Sequence, residues 1–143
     1  MRMGSKIYKS VELEELFFYT LYNFTAYWEI GRVSEQAGKL ISRSTGYNVK
    51  NYHIRLHNNE LKHILARHFF ETSRNQRDVC FEDMKEMGFV VNQSTEVKKG
   101  NRANTLVFAK RYPGKNETYI FVVSIDITHK TLWGKTFWVR GKK

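Results

Sequence analysis

The chain has few of the residues that mark secreted, metal-binding or membrane proteins. Its 143 residues include one cysteine, Cys80, and one proline, Pro113. A single cysteine excludes an internal disulfide and any zinc site built from several cysteines. The longest apolar run, Tyr119–Val123, is far shorter than the ~20 residues that cross a bilayer. No charged leader precedes an apolar segment, so we expect one soluble, cytoplasmic protein of about one domain.

Acidic residues are scarce in the last third of the chain. Residues 98–143 carry 11 Lys or Arg against only Glu117 and Asp126, whereas residues 1–97 carry 13 against 12. Most of the formal net charge of +10 therefore lies in residues 98–143. A positively charged surface attracts polyanions, so RNA or DNA is the expected partner. The alternative is that the basic charge serves only to keep the protein soluble. A membrane is not expected, because the basic third lacks the apolar stripe of a membrane-binding helix.

Capping residues and hydrophobic periodicity predict mainly helices in the first part of the chain. The predicted elements are helices over residues 10–30, 34–46, about 59–70 and 82–87, and a strand over residues 52–56. The first of these helices is rich in aromatic residues, which indicates burial on several sides or a contact surface.

From about residue 95 the hydrophobic period changes to two, which is typical of strands. The predicted strands are Thr105–Tyr112, Glu117–Ile127 and Thr131–Arg140, and residues 98–101 form a basic turn before them. We expect an α+β protein in which N-terminal helices are followed by an antiparallel β-meander of about four strands. Residues 1–48 would form a helical N-terminal extension, and residues 49–143 the α+β domain.

Common catalytic motifs are missing. The sequence has no phosphate-binding P-loop, no GxGxxG, no HExxH and no GxSxG. Scarce carboxylates in the basic third argue against a two-metal nuclease. His63 and His68 are five residues apart, about 140° around a helix, which does not suit shared binding of one metal ion. We therefore expect neither a metal nor a cofactor.

One helical segment has residues suited to a phosphodiester. His63 and Arg67 are four apart and lie side by side on a helix. Histidine exchanges a proton near neutral pH, and a guanidinium group pairs with phosphate oxygens. Basic residues on an exposed helix also occur without a function, and His68 fits equally well as a histidine at the edge of a core. The residues alone leave both interpretations open.

Residues 46–68 resemble the phage-type branch of the barnase–EndoU–colicin–RelE-like nucleases. The stretch Gly46–Tyr52, the strand His53–Leu56 and the helix Glu60–His68 carry this resemblance. In that group a helix ends in a His-Ile-x-x-basic-His pattern, which His63–His68 matches. Phe69-Phe70 departs from the small residue that often follows the final histidine.

Weaker matches extend the resemblance to about residue 140. They are the short helix Phe81–Met84, the strand with Lys110-Arg111 and the late strand with Lys135-Thr136-Phe137-Trp138.

The resemblance implies a barnase-like fold and a metal-independent ribonuclease that cleaves RNA to a 2′,3′-cyclic phosphate. It implies acid–base roles for His63 and His68, and contacts to the phosphate from Arg67, Lys110 and Thr136. Basic and aromatic residues of the last third would bind the rest of the RNA: Lys98, Lys99, Arg111, Lys135, Trp138 and Arg140. For Lys110, the strand pattern fits both a site residue and a lysine that reaches solvent at the sheet edge. Trp138 fits both base stacking and core packing.

Three functions therefore remain open. The first is an endoribonuclease acting as a toxin or a phage-borne effector, with tRNA among the candidate substrates. The second is a module that binds RNA or DNA on a basic sheet without cleaving it. In the third, the aromatic helix predicted over residues 10–30 docks a partner, either an inhibitor (antitoxin) protein or a larger phage polypeptide.

Overall fold

The computed structural model describes residues 9–21, 25–68 and 76–141. The helices are α1 (Leu13–Leu21), α2 (Glu35–Thr45), α3 (Asn58–His68), α4 (Phe81–Met84) and α5 (Met87–Asn92). The strands are β1 (Lys9–Val11), β2 (Ala26–Arg32), β3 (His53–His57), β4 (Gln76–Arg77), β5 (Glu96–Lys99), β6 (Thr105–Tyr112), β7 (Glu117–Asp126) and β8 (Thr131–Gly141). A 3₁₀ turn, Pro113–Lys115, joins β6 to β7.

Helix α2 begins and ends as its capping residues predict. The Ser34 hydroxyl accepts a hydrogen bond from the Ala37 N–H (3.1 Å). At the other end Gly46 has a φ of 83°, a left-handed conformation that glycine adopts without steric cost. Its N–H donates to the Ser42 carbonyl (2.8 Å). Local sequence signals therefore determine this helix.

The described strands form one mixed sheet. Their order is β1-β2-β3-β8-β7-β6-β5, and β4 also pairs with β8. Pairing is antiparallel from β5 to β8, but β1–β2 and β3–β8 are parallel. The α+β class is confirmed. The predicted arrangement, helices first and then a four-stranded meander, is wrong because β1, β2 and β3 alternate with helices and extend the sheet.

The helix predicted over residues 10–30 is wrong at its start, where Lys9–Val11 form β1, and in its second half. Residues Ala26–Arg32 form β2, in which Trp28 lies opposite Leu56 of β3. Aromatic residues suit a pleated, half-buried strand as well as a helix, and the pairing with β3 decides between the two. Residues 22–24 and Phe69-Phe70 lie outside the described residues. The division of the chain at residue 48 stays a prediction.

Strands β5–β8 have one face that is buried in the core. Leu106, Phe108, Phe121 and Phe137 point to this face, and all are fully buried. Phe121 and Phe137 meet edge to face, with ring centroids 5.9 Å apart. Helix α5 packs against β6 and β7 on this side, since the Lys110 ammonium group lies over the ring of Phe89. The opposite face of the same four strands is called the cleft face below.

Strand β8 pairs with β7 along its whole length on one side, but its other side, which faces β3 and β4, has a gap in pairing. β3 pairs with Thr131–Trp133 and β4 pairs with Val139 and Arg140. Between these two, no strand in the described parts of the chain pairs with residues 134–138 on that edge. Helix α3 packs against β8, and its last residue, His68, contacts Thr136 within this gap. The Val79 N–H donates to the His68 carbonyl (2.7 Å). This gap, called the notch below, places His68 against the middle of β8.

Candidate active site

His68 contacts two residues of β8 at the notch. Its Nε2 lies 3.2 Å from Thr136 Oγ1, and its ring stacks on Trp138, with centroids 5.8 Å apart and planes 26° apart. Leu61 and Ile64, on the buried side of α3, anchor the helix in the core. Since the stack fixes the ring plane and Thr136 fixes its rotation, the imidazole has a defined orientation.

Strand register builds the cleft face from three rows of side chains that cross β8, β7, β6 and β5. The first row is Thr136, Val122, Val107 and Lys98, the second is Trp138, Ile120, Ala109 and Glu96, and the third is Arg140, Thr118 and Arg111. Residues directly opposite each other in a sheet point to the same face. The centre of the cleft face is therefore apolar, and its borders carry charged and hydroxyl groups.

A cleft of about 490 Å³ lies over the second and third rows and over Val107 and Lys98 of the first. Three cationic side chains point into it, Lys98, Arg111 and Arg140, together with one carboxylate, Glu96. Lys99 also borders the cleft, but it pairs with the core residue Leu106, and its ammonium group lies 5.8 Å from the ring centroid of Tyr47 on the other side of the sheet. Within the described residues, the side chains of Lys98, Arg111 and Arg140 form no ion pair. Their positive charge is thus available to an anionic ligand.

Five of the six predicted RNA-binding residues line this cleft: Lys98, Lys99, Arg111, Trp138 and Arg140. Lys135 does not line it. Its ammonium group lies 3.1 Å from the Glu60 carboxylate, which links β8 to α3.

Lys110 lies on the opposite side of the sheet from the cleft. Successive residues of a strand alternate between faces, so Ala109 and Arg111 line the cleft while Lys110 points to the covered face. Its Nζ is 5.5 Å from the ring centroid of Phe89 and 5.7 Å from that of Tyr112. The structure therefore does not bring Lys110 together with His68 and Thr136, and Arg111 is the residue of this pair that faces the cleft.

His63 and Arg67 lie on the exposed side of α3. Neither side chain forms a hydrogen bond or ion pair with another described residue. The rotation of about 140° between His63 and His68 turns the two imidazoles apart. Of the predicted acid–base pair, the structure places His68 beside Thr136 and His63 in solvent.

The family model described as phage-Barnase-EndoU-ColicinE5/D-RelE like nuclease 3 matches residues 31–143. The chain belongs to this nuclease family. The matched region contains α3, the notch and all four strands of the cleft face, so the resemblance stated for residues 46–140 is confirmed. No curated protein and no solved structure matches the chain significantly.

The nuclease contains an ion network around Arg77 that the sequence pattern does not reveal. The guanidinium group donates to both oxygens of Asp83 (2.7 and 2.8 Å), to the Glu117 carboxylate and to the Tyr119 hydroxyl (3.1 Å). Its partners lie up to 42 residues away in sequence. The network ties β4 to α4 and β7, and thereby fixes one border of the notch.

Proton equilibria in this network reflect its close contacts. Burial by itself would raise the pKa of Asp83, but hydrogen bonds from Arg77, the Cys80 N–H and Tyr119 outweigh it and hold that pKa below its usual range. Burial and the hydrogen bond to Asp83 raise the pKa of Tyr119. At neutral pH Asp83 is therefore charged and Tyr119 is neutral.

The other three histidines of the nuclease have structural surroundings. His53 Nδ1 lies 3.0 Å from Glu29, and His129 Nδ1 lies 2.8 Å from Asp126. His57 is buried, and burial lowers its pKa. Among the described residues, His, Cys, Asp and Glu side chains form no group of three or more that could hold a metal ion. In those same parts of the chain, every helix is too short or too polar to span a membrane.

Proposed function

We propose that this nuclease is an endoribonuclease that cleaves RNA at the notch without a metal ion. The contact between His68 and Thr136 (3.2 Å) at the rim of a cationic cleft carries the proposal. The notch holds an imidazole and a hydroxyl, and the neighbouring cleft holds guanidinium groups; these suit proton transfer and phosphate binding. They differ from the clustered carboxylates that a two-metal nuclease needs.

In the proposed reaction the RNA supplies its own nucleophile. The 2′-oxygen forms a bond to the adjacent phosphorus, and the bond from phosphorus to the 5′-oxygen of the next nucleotide breaks. The 2′-hydroxyl proton passes to a base, and the departing 5′-oxygen receives a proton from an acid. The products are a 2′,3′-cyclic phosphate and a 5′-hydroxyl. DNA is resistant because it lacks the 2′-hydroxyl.

His68 carries out one of the two proton transfers in this scheme, and the Thr136 hydroxyl donates a hydrogen bond to a phosphate oxygen. Such a donor stabilises the charge that develops on the oxygens in the transition state. Arg140 and Arg111, which lie further along the cleft, bind neighbouring phosphates. His63 is the sequence candidate for the second proton transfer, and Arg67 for a further phosphate contact. Both lie on the exposed side of α3, so they are tested separately from His68.

The test is incubation of purified protein with total RNA in EDTA. The wild type is expected to cleave, and His68→Ala to lower the rate by about 10²–10⁴. Lys62→Ala, an exposed change on the same helix, is the matched control and leaves the rate unchanged. Equal cleavage by His68→Ala, or cleavage that requires an added metal ion, would overturn the proposal. A large loss in His63→Ala would identify the second proton-transfer group.

A module that binds RNA or DNA without cleaving it is the second candidate. The unpaired cations of the cleft favour it, because they bind phosphates whether or not a reaction follows. Its expected result is salt-sensitive binding by the wild type with no cleavage of total RNA. If the wild type does cleave total RNA, sequencing the ends of the fragments identifies the substrate and shows whether tRNA is cut.

For the biological role we propose a toxin or a phage-borne effector, because the family description names phage nucleases. Expression in bacterial cells is then expected to arrest growth, and His68→Ala to restore it. An inhibitor protein that protects the cell would bind the wild type and suppress its RNA cleavage. Growth arrest that persists with His68→Ala would separate toxicity from the proposed reaction.

A further inference from the structure

We infer that the cleft face binds RNA as a single strand that crosses β8, β7, β6 and β5, with unpaired bases on its apolar centre. The inference rests on the proposed function for the identity of the ligand as RNA. It adds that the nucleotides next to the cleaved bond are unpaired when they bind. Three features of the cleft face support it.

The first feature is the apolar centre. Val107, Ala109 and Ile120 form it, and the half-buried Trp138 continues it towards the notch. Apolar side chains stabilise a ligand only when apolar surface is brought against them. The faces of unpaired bases provide that surface, and stacking on an aromatic side chain is worth about 1–3 kcal/mol per base. In a duplex the base faces cover each other, and the exterior is sugar and phosphate.

The second feature is the position of the cations around this centre. Lys98 lies on β5 in the first row, whereas Arg111 on β6 and Arg140 on β8 lie in the third row. Because neighbouring strands are about 4.8 Å apart, Arg111 and Arg140 are separated by roughly 10 Å across β7. The cations therefore border the apolar centre, as the phosphates of one strand would when its bases lie on the floor.

The third feature is the location of the notch at one end of the rows. Thr136 begins the first row, next to His68, and the residues that line the cleft lie further along β8 and on β7, β6 and β5. If the reacting phosphate of an RNA strand lies at Thr136, the nucleotides on one side of that phosphate lie across the sheet. The apolar centre next to the reacting bond can be covered only where the RNA is unpaired.

The binding test uses a probe that the proposed reaction cannot cleave. A 2′-O-methyl oligoribonucleotide of about 12 nucleotides without self-complementarity is compared, in EDTA and low salt, with the same strand annealed to its complement. Fluorescence anisotropy is expected to show tighter binding of the single strand by about tenfold or more. Equal or tighter binding of the duplex would overturn the inference. Cleavage of unmodified RNA is measured separately, so a failure of the proposed function does not hide this result.

A substitution in the floor tests where the strand lies. Ala109→Asp puts a carboxylate in the centre of the cleft face and is expected to weaken single-strand binding by about tenfold, because it repels phosphate and cannot stack with a base. Ser44→Asp, exposed on α2, changes the net charge equally and is expected to leave binding unchanged. Equal binding by the two folded variants would overturn the inference.

A measurement on the wild type covers the case in which Ala109→Asp does not fold. Adding the single-stranded probe to isotope-labelled protein is expected to shift the amide resonances of Val107, Ala109 and Ile120. Trp138→Phe identifies the indole resonance of Trp138, which is expected to shift as well. Shifts confined to other surfaces of the protein would place the RNA elsewhere and refute the inference.

Discussion

The arginine of the Arg77 network is paired with carboxylates, whereas the arginines of the cleft face form no ion pair within the described residues. Arg77 donates hydrogen bonds to two carboxylates and a hydroxyl, and its side chain is 22% exposed. Arg111 and Arg140 form no ion pair within the described residues, although the carboxylate of Glu96 lines the same cleft. An arginine that donates hydrogen bonds to carboxylates of its own chain holds segments of that chain together. An arginine whose guanidinium group has no carboxylate partner in the chain can bind a ligand instead. The presence or absence of carboxylate partners therefore separates structural arginines from candidate RNA contacts.

The two regions also differ in their expected response to mutation. In the Arg77 network, loss of the cation leaves two carboxylates close together and poorly solvated, so the free energy of unfolding decreases. On the cleft face, loss of a cation removes a charge that solvent already stabilises, so the folded state is unaffected and only ligand binding changes. Stability and RNA affinity are therefore expected to separate cleanly between the two.

Arg77→Met is expected to have the largest effect on stability. It leaves Asp83 and Glu117 without their cation, and breaking a buried pair in this way costs about 3–5 kcal/mol. Urea denaturation measures the free energy of unfolding. Lys39→Met is the matched control, because the Lys39–Glu35 pair (3.9 Å) is well exposed and such pairs contribute about 0–1 kcal/mol. Similar losses in the two variants would contradict the structural role of Arg77.

Acid is expected to weaken the same network, by less than Arg77→Met because Arg77 keeps its other partners. The pKa of Asp83 is lower in the folded state than in the unfolded chain. Its contribution is therefore fully present above the usual carboxyl pKa, about 4, and is lost as the pH falls through the lower folded-state value. Urea denaturation at several pH values below 5 measures this loss. In Asp83→Asn the free energy of unfolding is expected to depend less on pH in this range. If its pH dependence were the same as in the wild type, the loss of stability in acid would come from other groups.

On the cleft face, Arg140→Gln and Arg111→Gln are each expected to weaken RNA binding by about tenfold, since a hydrogen bond to a charged group contributes about 1.5–3 kcal/mol. For a single strand, each lost phosphate contact also reduces the salt dependence of log K by about 0.7. The free energy of unfolding is expected to stay within about 0.5 kcal/mol of the wild type. Arg43→Gln, on the exposed side of α2, removes the same charge elsewhere. Equal weakening by Arg43→Gln would attribute binding to net charge alone.

Local signals in the sequence predict the elements but not all of their neighbours. The caps at Ser34 and Gly46 set the ends of α2 through contacts within a few residues. The alternating pattern predicts β6 over Thr105–Tyr112, as found. Residues 26–32 are different, because their aromatic pattern fits a helix as well as a strand. Pairing with β3, more than 20 residues away, makes them a strand.

The site shows the same limit. The helix motif predicts His68, and the late-strand motif predicts Thr136, so sequence alone names both members of the contact at the notch. It does not determine which side of a strand faces the cleft, so Lys110 and Arg111 look equivalent. Nor does it reveal Arg77, whose partners Asp83, Glu117 and Tyr119 meet only after β4, α4 and β7 have packed together. Long-range packing supplies what local patterns lack.

The comparison of Lys110 with its neighbour Arg111 gives the smallest expected effect. Lys110→Gln removes a cation that lies over the rings of Phe89 and Tyr112 on the covered face of the sheet. Such contacts contribute about 0.5–1 kcal/mol at exposed sites, so we expect a slight loss of stability. RNA affinity is expected to change by less than about twofold, because only the long-range field of one charge is lost. Titration of the single-stranded probe with Lys110→Gln and Arg111→Gln at equal salt measures this difference. If Lys110→Gln weakened binding as much as Arg111→Gln, the assignment of RNA to one face of the sheet would be wrong, since the two side chains point to opposite faces of β6.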